Sequence, residues 1–233
     1  MKTLVAGCSK GIGREVTMAL LERGQKVVGL SRTAPSISND RFEWMECNLA
    51  DRNAVNTLIR DCKFGEFQNL IYVAGTNAIK KAVEYDFEDI DEILGINLFS
   101  FMVIAGSFAR SRRVGFPSSI VGVGSIWSSF GIKGRSIYGS SKGAMASFAK
   151  HLSVELVEMD CFVNVVSPGF TMTRLTEKTL VDPLIINALI RQRSGRLLNP
   201  RHIANHIISL ARPINQCING QEIFVDHGFS SYA

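Results

Sequence analysis

The chain has 233 residues, of which 46% are hydrophobic and 20% charged, and a net charge of +5 at pH 7. That balance excludes a disordered chain, and the length suits an α/β fold built as one unit over residues 1–233. The five cysteines (Cys8, Cys47, Cys62, Cys161 and Cys217) are odd in number and scattered, with no C-x-x-C spacing, so reduced thiols in a cytoplasmic protein are expected rather than a disulfide framework.

The apolar run before Gly7 is too short for a secretory signal. Two stretches lack charges, Ile93–Ala109 and Val114–Ile132. Gly95, Asn97 and Gly106 interrupt the first, and Pro117 and five serines the second, so neither reads as a membrane span. The basic balance suits an anionic cofactor or an acidic partner. No basic run with interleaved aromatics argues for nucleic acid.

Strands and helices alternate along the chain. Thr3–Ala6 reads as a strand and Gly11–Arg23 as a helix stopped by Gly24. Strands follow at Lys26–Leu30 and Phe42–Cys47, then a helix at Asp51–Lys63 and a strand at Leu70–Ala74. Two helices are predicted next, one from about Phe87 and one from about Asn97 to Arg113. Ile120–Gly124 is a strand, Ser136–Met159 a long helix and Cys161–Val166 a strand. An irregular helical stretch spans Thr173–Arg193, followed by a helix at Arg201–Ala211 and a last strand at Glu222–Val225. This order predicts a doubly wound, Rossmann-type parallel sheet of about seven strands with helices on both faces.

Directly after the first strand comes Gly7-Cys8-Ser9-Lys10-Gly11-Ile12-Gly13. A strand, a glycine-rich turn and a helix start form the context of a pyrophosphate cradle, because glycine lets the backbone approach the ligand and the helix start offers free N–H groups. The spacing is G-x-x-x-G-x-G. At the end of the second strand, where a carboxylate would grip the ribose of NAD, the chain reads Leu30-Ser31-Arg32. Arg32, with Lys10 facing it from the glycine loop, can neutralise a 2′-phosphate, so NADP(H) is the expected cofactor.

Tyr138-Gly139-Ser140-Ser141-Lys142 places a phenol and an ammonium four residues apart on one helix face. A nearby cation lowers a phenol pKa, which suits Tyr138 to act as acid in reduction and base in oxidation. Ser125 stands thirteen residues earlier, at the end of the fifth strand, where its hydroxyl can bind a carbonyl oxygen as charge develops.

Taken together these motifs resemble the short-chain dehydrogenase/reductase family. The resemblance runs from Gly7 to Asp226 and includes Ala74-Gly75, Asn97 in Ile96-Asn97-Leu98, Ser125, Tyr138 with Lys142, and Pro168-Gly169 followed by Thr173. It implies a catalytic set of Asn97, Ser125, Tyr138 and Lys142. It also implies cofactor contacts from Gly7, Ser9, Lys10, Gly11, Ile12, Gly13, Ser31, Arg32, Asn48, Leu49, Ala74, Gly75, Pro168, Gly169, Thr171 and Thr173, beside Tyr138 and Lys142. In such enzymes the Asn helps hold a water that links the Lys to solvent, and the Lys binds the nicotinamide ribose. The family further implies a homotetramer, or a homodimer.

Several positions depart from the family pattern. Ala6 replaces a Thr, and Tyr72-Val73 replaces an Asn-Asn pair that braces the sheet centre. Asn48 stands for an acidic residue and His227 for a Gly. Gly195-Arg196-Leu197 and Pro200–Ala204 are similar to the 3-oxoacyl-(acyl carrier protein) reductase-like members, which implies a 3-oxoacyl thioester substrate and an acyl carrier protein as partner. Arg110, Arg112 and Arg113 are the candidate dock, with Glu155 and Glu158 opposing. A small ketone or sugar is the alternative substrate, and a non-catalytic NADP sensor the alternative of a different class. His202 and His206 share a helix face without a third ligand, so no metal is expected. Cys8 reads as a packed small side chain, although a thiol near a helix start can be acidified.

Overall fold

The computed structural model describes residues 1–112, 115–177, 180, 183–192, 195–212 and 217–231. Seven strands, β1 (Lys2–Ala6), β2 (Lys26–Ser31), β3 (Phe42–Glu46), β4 (Asn69–Tyr72), β5 (Ser118–Val123), β6 (Cys161–Pro168) and β7 (Glu222–Val225), form one sheet. All pairs are parallel, in the order β3-β2-β1-β4-β5-β6-β7. The order reverses between β1 and β4, so connections leave these two strands in opposite directions and a crevice opens beyond their carboxyl ends.

Both faces of the sheet are covered, which explains strands that are apolar on every residue rather than every second one. Leu4, Leu70, Tyr72 and Ile120 point to one side. There they pack with Phe101, Phe108 and Met145 from the helices α4 (Ser100–Ser111) and α5 (Ser136–Leu156), flanked by α2 (Arg52–Asp61). Val5, Ile71, Val121 and Val166 point to the other, onto Leu20 of α1 (Gly11–Glu22) and Ile203 and Ile207 of α8 (Pro200–Leu210). Helix starts follow local chemistry. The Asp51 side chain accepts from the Asn53 N–H at the head of α2, and Asn199 accepts from the Arg201 N–H with Pro200 in the first turn of α8.

Two predicted stretches differ. The two helices expected on either side of residue 95 are one run: α3 (Phe87–Leu94) continues through a π turn, Gly95–Phe99, into α4. Gly95 adopts ordinary right-handed helical angles and does not break it. This run is long and apolar enough to cross a membrane, but 61% of its apolar window is buried in the protein, as in a core helix. The stretch predicted over Thr173–Arg193 splits into α6 (Arg174–Glu177) and α7 (Pro183–Arg191). Pro183 begins the second helix because it has no N–H to continue a first; Arg193 lies outside the described residues.

Tyr72 ties the sheet to the π turn. It is fully buried, its ring lies 5.2 Å from that of Phe101, and its hydroxyl donates to the Ile96 carbonyl at 2.5 Å. Burial pushes this phenol far above its ordinary range, so the proton stays on the oxygen. The brace that sequence comparison removes with the missing Asn is thus supplied by a longer side chain reaching the next layer. Tyr72→Phe leaves a buried carbonyl without this donor and is expected to cost about 1–3 kcal/mol, measured by urea unfolding; unchanged stability would show that the bond holds nothing in place.

Candidate active site

The crevice beyond β1 and β4 is a cleft of about 1020 Å³. Its floor begins at the glycine turn. Gly7 has φ +91°, and a Cβ there would stand 2.6 Å from the Ala74 N, so β1 and β4 approach each other too closely for a side chain. A Cβ on Gly13 would fall 1.9 Å from the Gly7 carbonyl oxygen. Lys10, the residue before α1, makes no side-chain cap to the helix, so the first-turn N–H groups are left for an anion. This fits a dinucleotide pyrophosphate. Thr173 closes over the turn, its Cγ2 3.3 Å from where a Gly11 Cβ would be.

All of the residues expected to contact the cofactor line this one cleft: Gly7, Ser9, Lys10, Gly11, Ile12, Gly13, Ser31, Arg32, Asn48, Leu49, Ala74, Gly75, Tyr138, Lys142, Pro168, Gly169, Thr171 and Thr173. Their side chains are not equally available. The Ser31 hydroxyl donates to the Thr33 carbonyl at 2.8 Å and accepts from the Trp44 indole at 3.0 Å, so its proton is already engaged. Arg32 and Lys10 are exposed and form no salt bridge among the described residues. Cys8 is fully buried against Gly29, as a packed small side chain would be, and burial raises its thiol pKa.

At the other end of the cleft stand Ser125, Tyr138 and Lys142, each less than a tenth exposed. Ser125 ends the β5 segment and heads the turn Ile126–Ser128; Tyr138 and Lys142 come from the first two turns of α5. The Lys142 Nζ donates to the Val123 carbonyl at 2.7 Å and lies 5.9 Å from the centre of the Tyr138 ring. Burial pulls its pKa down from 10.5 to about 8. Burial also raises the Tyr138 phenol, opposed by its hydrogen bond with Ser125 and by the charge of Arg135. The spacing argument expected Lys142 to lower this phenol. The opposing cation is instead Arg135, whose guanidinium lies 5.9 Å from the ring centre.

Asn97 is brought close but sits behind the cleft. It is fully buried in the π turn, and its amide donates to the Thr76 carbonyl (3.0 Å) and Ser141 Oγ (2.9 Å) while accepting from the Thr76 N–H (2.9 Å). A side chain so occupied holds the strand end and α5 together.

Sequence reasoning missed several wall residues. Trp127, Phe170 and Phe229 pack edge to face with centroids 5.7–6.1 Å apart and, with Phe130, make an aromatic wall beside Ser125. Only the position of Trp127, two residues past a strand-end serine, hinted at this. Glu222 accepts from both Ser128 and Ser167 at 2.5 Å and ties the turn after Ser125 to β6. Gln192 is fully buried beneath Phe170, with no pattern in the sequence to mark it. His227 takes the left-handed φ of 52° that its position asks of glycine.

Arg110 and Arg112, offered with Arg113 as an acyl carrier protein dock, lie at the end of the sheet away from the cleft. Helix α4 starts beside the cleft and runs back along the sheet, so its last turn reaches the amino ends of β5 and β6. There the Arg112 guanidinium donates to the Met159 and Ala109 carbonyls. Arg113 lies outside the described residues.

Residues 6–230 match the family model described as enoyl-(acyl carrier protein) reductase, a short-chain dehydrogenase/reductase model. The chain is 29% identical to the 3-oxoacyl-[acyl-carrier-protein] reductase FabG of Vibrio cholerae, over 97% of this chain and 95% of that one. It is 30% identical to a tropinone reductase homolog of Arabidopsis thaliana, over 97% and 91% respectively. A short-chain dehydrogenase family protein of Francisella tularensis superposes with a TM-score of 0.90 at 25% identity, over 99% of both chains. Fold, cleft and sequence agree: the chain belongs to the short-chain dehydrogenase/reductase family and is an NAD(P)-dependent oxidoreductase.

Proposed function

We propose that residues 1–233 act as one dinucleotide-binding and catalytic domain that reduces a carbonyl to a secondary alcohol with NADPH, Tyr138 serving as general acid. The observation that carries this reading is the shared cleft: Ser125, Tyr138 and Lys142 converge at one end and the glycine cradle at the other. NADPH supplies the hydride when bound. The Ser125 hydroxyl is in place to hold the carbonyl oxygen as negative charge grows. The raised pKa of Tyr138 keeps its proton at neutral pH, ready to be given to that oxygen. Lys142, with a pKa near 8, can restore it and bind the nicotinamide ribose. Asn97 positions Thr76 and Ser141 around them, and any water that links Lys142 to solvent would be held by backbone rather than by its amide.

The substrate read from the relatives is a 3-oxoacyl thioester or related ketone. A second reading, a small ketone or sugar in a specialised pathway, is favoured by the aromatic wall of Trp127 and Phe170 and by the direction of α4, which carries its last turn away from the cleft. Following NADPH absorbance with 3-oxoacyl thioesters, small ketones and sugars separates the two.

Turnover of the accepted carbonyl should fall by about 10²–10⁴ in Tyr138→Phe; near-normal turnover would remove Tyr138 as the acid. For cofactor choice, Arg32 and Lys10 supply the positive charge at the ribose end. Arg32→Ala should raise the NADPH dissociation constant roughly tenfold or more and leave NADH nearly unchanged; equal affinities of the native protein for both cofactors would show that these cations are solvated surface charges. We also propose a homotetramer. Val103 on α4, with Val154 on α5 and Val157 and Met159 beyond it, are 42–73% exposed on the two neighbouring helices, an apolar surface that self-association would cover. Sedimentation at micromolar concentration should give a species about four times the 25.6 kDa chain, a dimer being the smaller alternative; a monomer alone would overturn it.

A further inference from the structure

Beneath the Pro168–Gly169 end of β6 lies a fully buried carboxamide, that of Gln192, just past the last residue of α7. Its Oε1 accepts from the Phe170 N–H at 2.6 Å, and its Nε2 donates to the Phe170 carbonyl at 2.9 Å and to the Arg196 carbonyl at 2.7 Å. One side chain therefore satisfies both backbone groups of a single residue, as a neighbouring strand would. The opposite flank of the same segment is tied by backbone alone: Leu198 N–H to Phe170 O at 2.8 Å and Met172 N–H to Leu198 O at 2.9 Å. Space is equally restricted. A Cβ on Gly169 would stand 2.2 Å from the Gln192 Oε1 and 2.9 Å from the Asp226 Cα.

We infer that Gln192 is a positioning residue for the nicotinamide half of the cofactor: its carboxamide sets the Gly169–Thr171 backbone and fastens it to the end of α7. The segment and α7 then adopt their cofactor-bound arrangement together. The inference rests on the proposed cofactor contacts of Pro168, Gly169 and Thr171, assigned to the nicotinamide half because β6 pairs with β5, the strand that leads to Ser125. It adds a residue that touches neither cofactor nor substrate and acts through Phe170. A leucine at this site fills similar volume but leaves the Phe170 N–H, the Arg196 carbonyl and one lone pair of the Phe170 carbonyl without partners. Those groups would turn to water, and the segment would no longer be held at one height above the sheet.

The test uses the whole chain and two ligands, titrated calorimetrically: NADPH, and 2′,5′-ADP, which fills only the adenosine end. Gln192→Leu should weaken NADPH about tenfold and leave 2′,5′-ADP unchanged. Hydrogen exchange should show NADPH protecting residues 168–173 and 183–192 together in the native chain and only the first group, weakly, in the variant. Where Gln192→Leu does not fold, Gln192→Glu serves. Its carboxylate would face two carbonyls, so NADPH should bind weakly at about pH 8 and recover at about pH 5, where a protonated carboxyl can donate again. Unchanged NADPH affinity in these variants, or equal weakening of both ligands, would overturn the inference. Native protein in which NADPH protects neither segment would overturn the nicotinamide placement itself, and the inference with it.

Discussion

A lysine ammonium cannot be buried at the carboxyl end of a parallel sheet without a partner, and much of the cleft is arranged around the one that is. Lys142 is 3% exposed and donates to the Val123 carbonyl, the last residue of β5. Its neighbourhood leaves little slack: a Cβ on Gly75 would lie 3.5 Å from Nζ and 3.4 Å from the Asn97 Oδ1. The depressed pKa carries a sign. Below about 8 the folded protein bears the full cost of the buried charge, and that cost fades as pH rises toward 10.5, where the unfolded lysine also loses its proton. A binding partner that offers oxygen acceptors to Nζ offsets the cost, which is the physical reason to expect ribose hydroxyls there.

The same economy of donors decides the opposite end of the cleft. Ser31 stands where an NAD-preferring sheet would carry a carboxylate, but its hydroxyl is held between the Trp44 indole and the Thr33 carbonyl. It shapes the end of β2 and has no proton left for a phosphate. In the proposed NADPH reading, neutralising a 2′-phosphate falls to Arg32 and Lys10, which come from two different elements. Both are exposed at the cleft, so the discrimination this reading asks of them is one of charge.

The parts legible in the sequence are those set by local rules. Glycine spacing marked the cradle because no other residue fits between Gly7 and Ala74, and the four-residue step marked Tyr138 and Lys142 because a helix must stack them. The parallel sheet of about seven strands followed from the alternation of strands and helices. The rest depended on contacts between distant segments. Nothing near Tyr72 indicates that its hydroxyl reaches residue 96, and nothing near Gln192 points to residue 170. The continuity of α3 with α4 was hidden for a related reason: Gly95 suggests a break, and only tertiary packing decides that the helix absorbs it as a π turn. Charge read without direction likewise left open where the α4 arginines lie, since a helix that begins at the cleft ends away from it.

One departure from the family pattern, Tyr72, is compensated by a contact in the next layer. With Asn absent from position 72, the strand end loses a short polar brace, and the π turn beside it offers backbone groups displaced from the ordinary helical ladder. The Tyr72 phenol spans the gap to the Ile96 carbonyl, one residue before Asn97. Asn97 then grips Thr76, four residues past Tyr72, and Ser141, one residue before Lys142. The chain of contacts runs from the middle of the sheet, through the bulge, to the helix that carries Tyr138. Tyrosine can fill this role because the layer it enters is apolar: desolvation keeps the phenol protonated and therefore a permanent donor. The same desolvation raises the Tyr138 phenol, buried in the wall of the cleft, and holds its proton, which is the behaviour the proposed reduction needs.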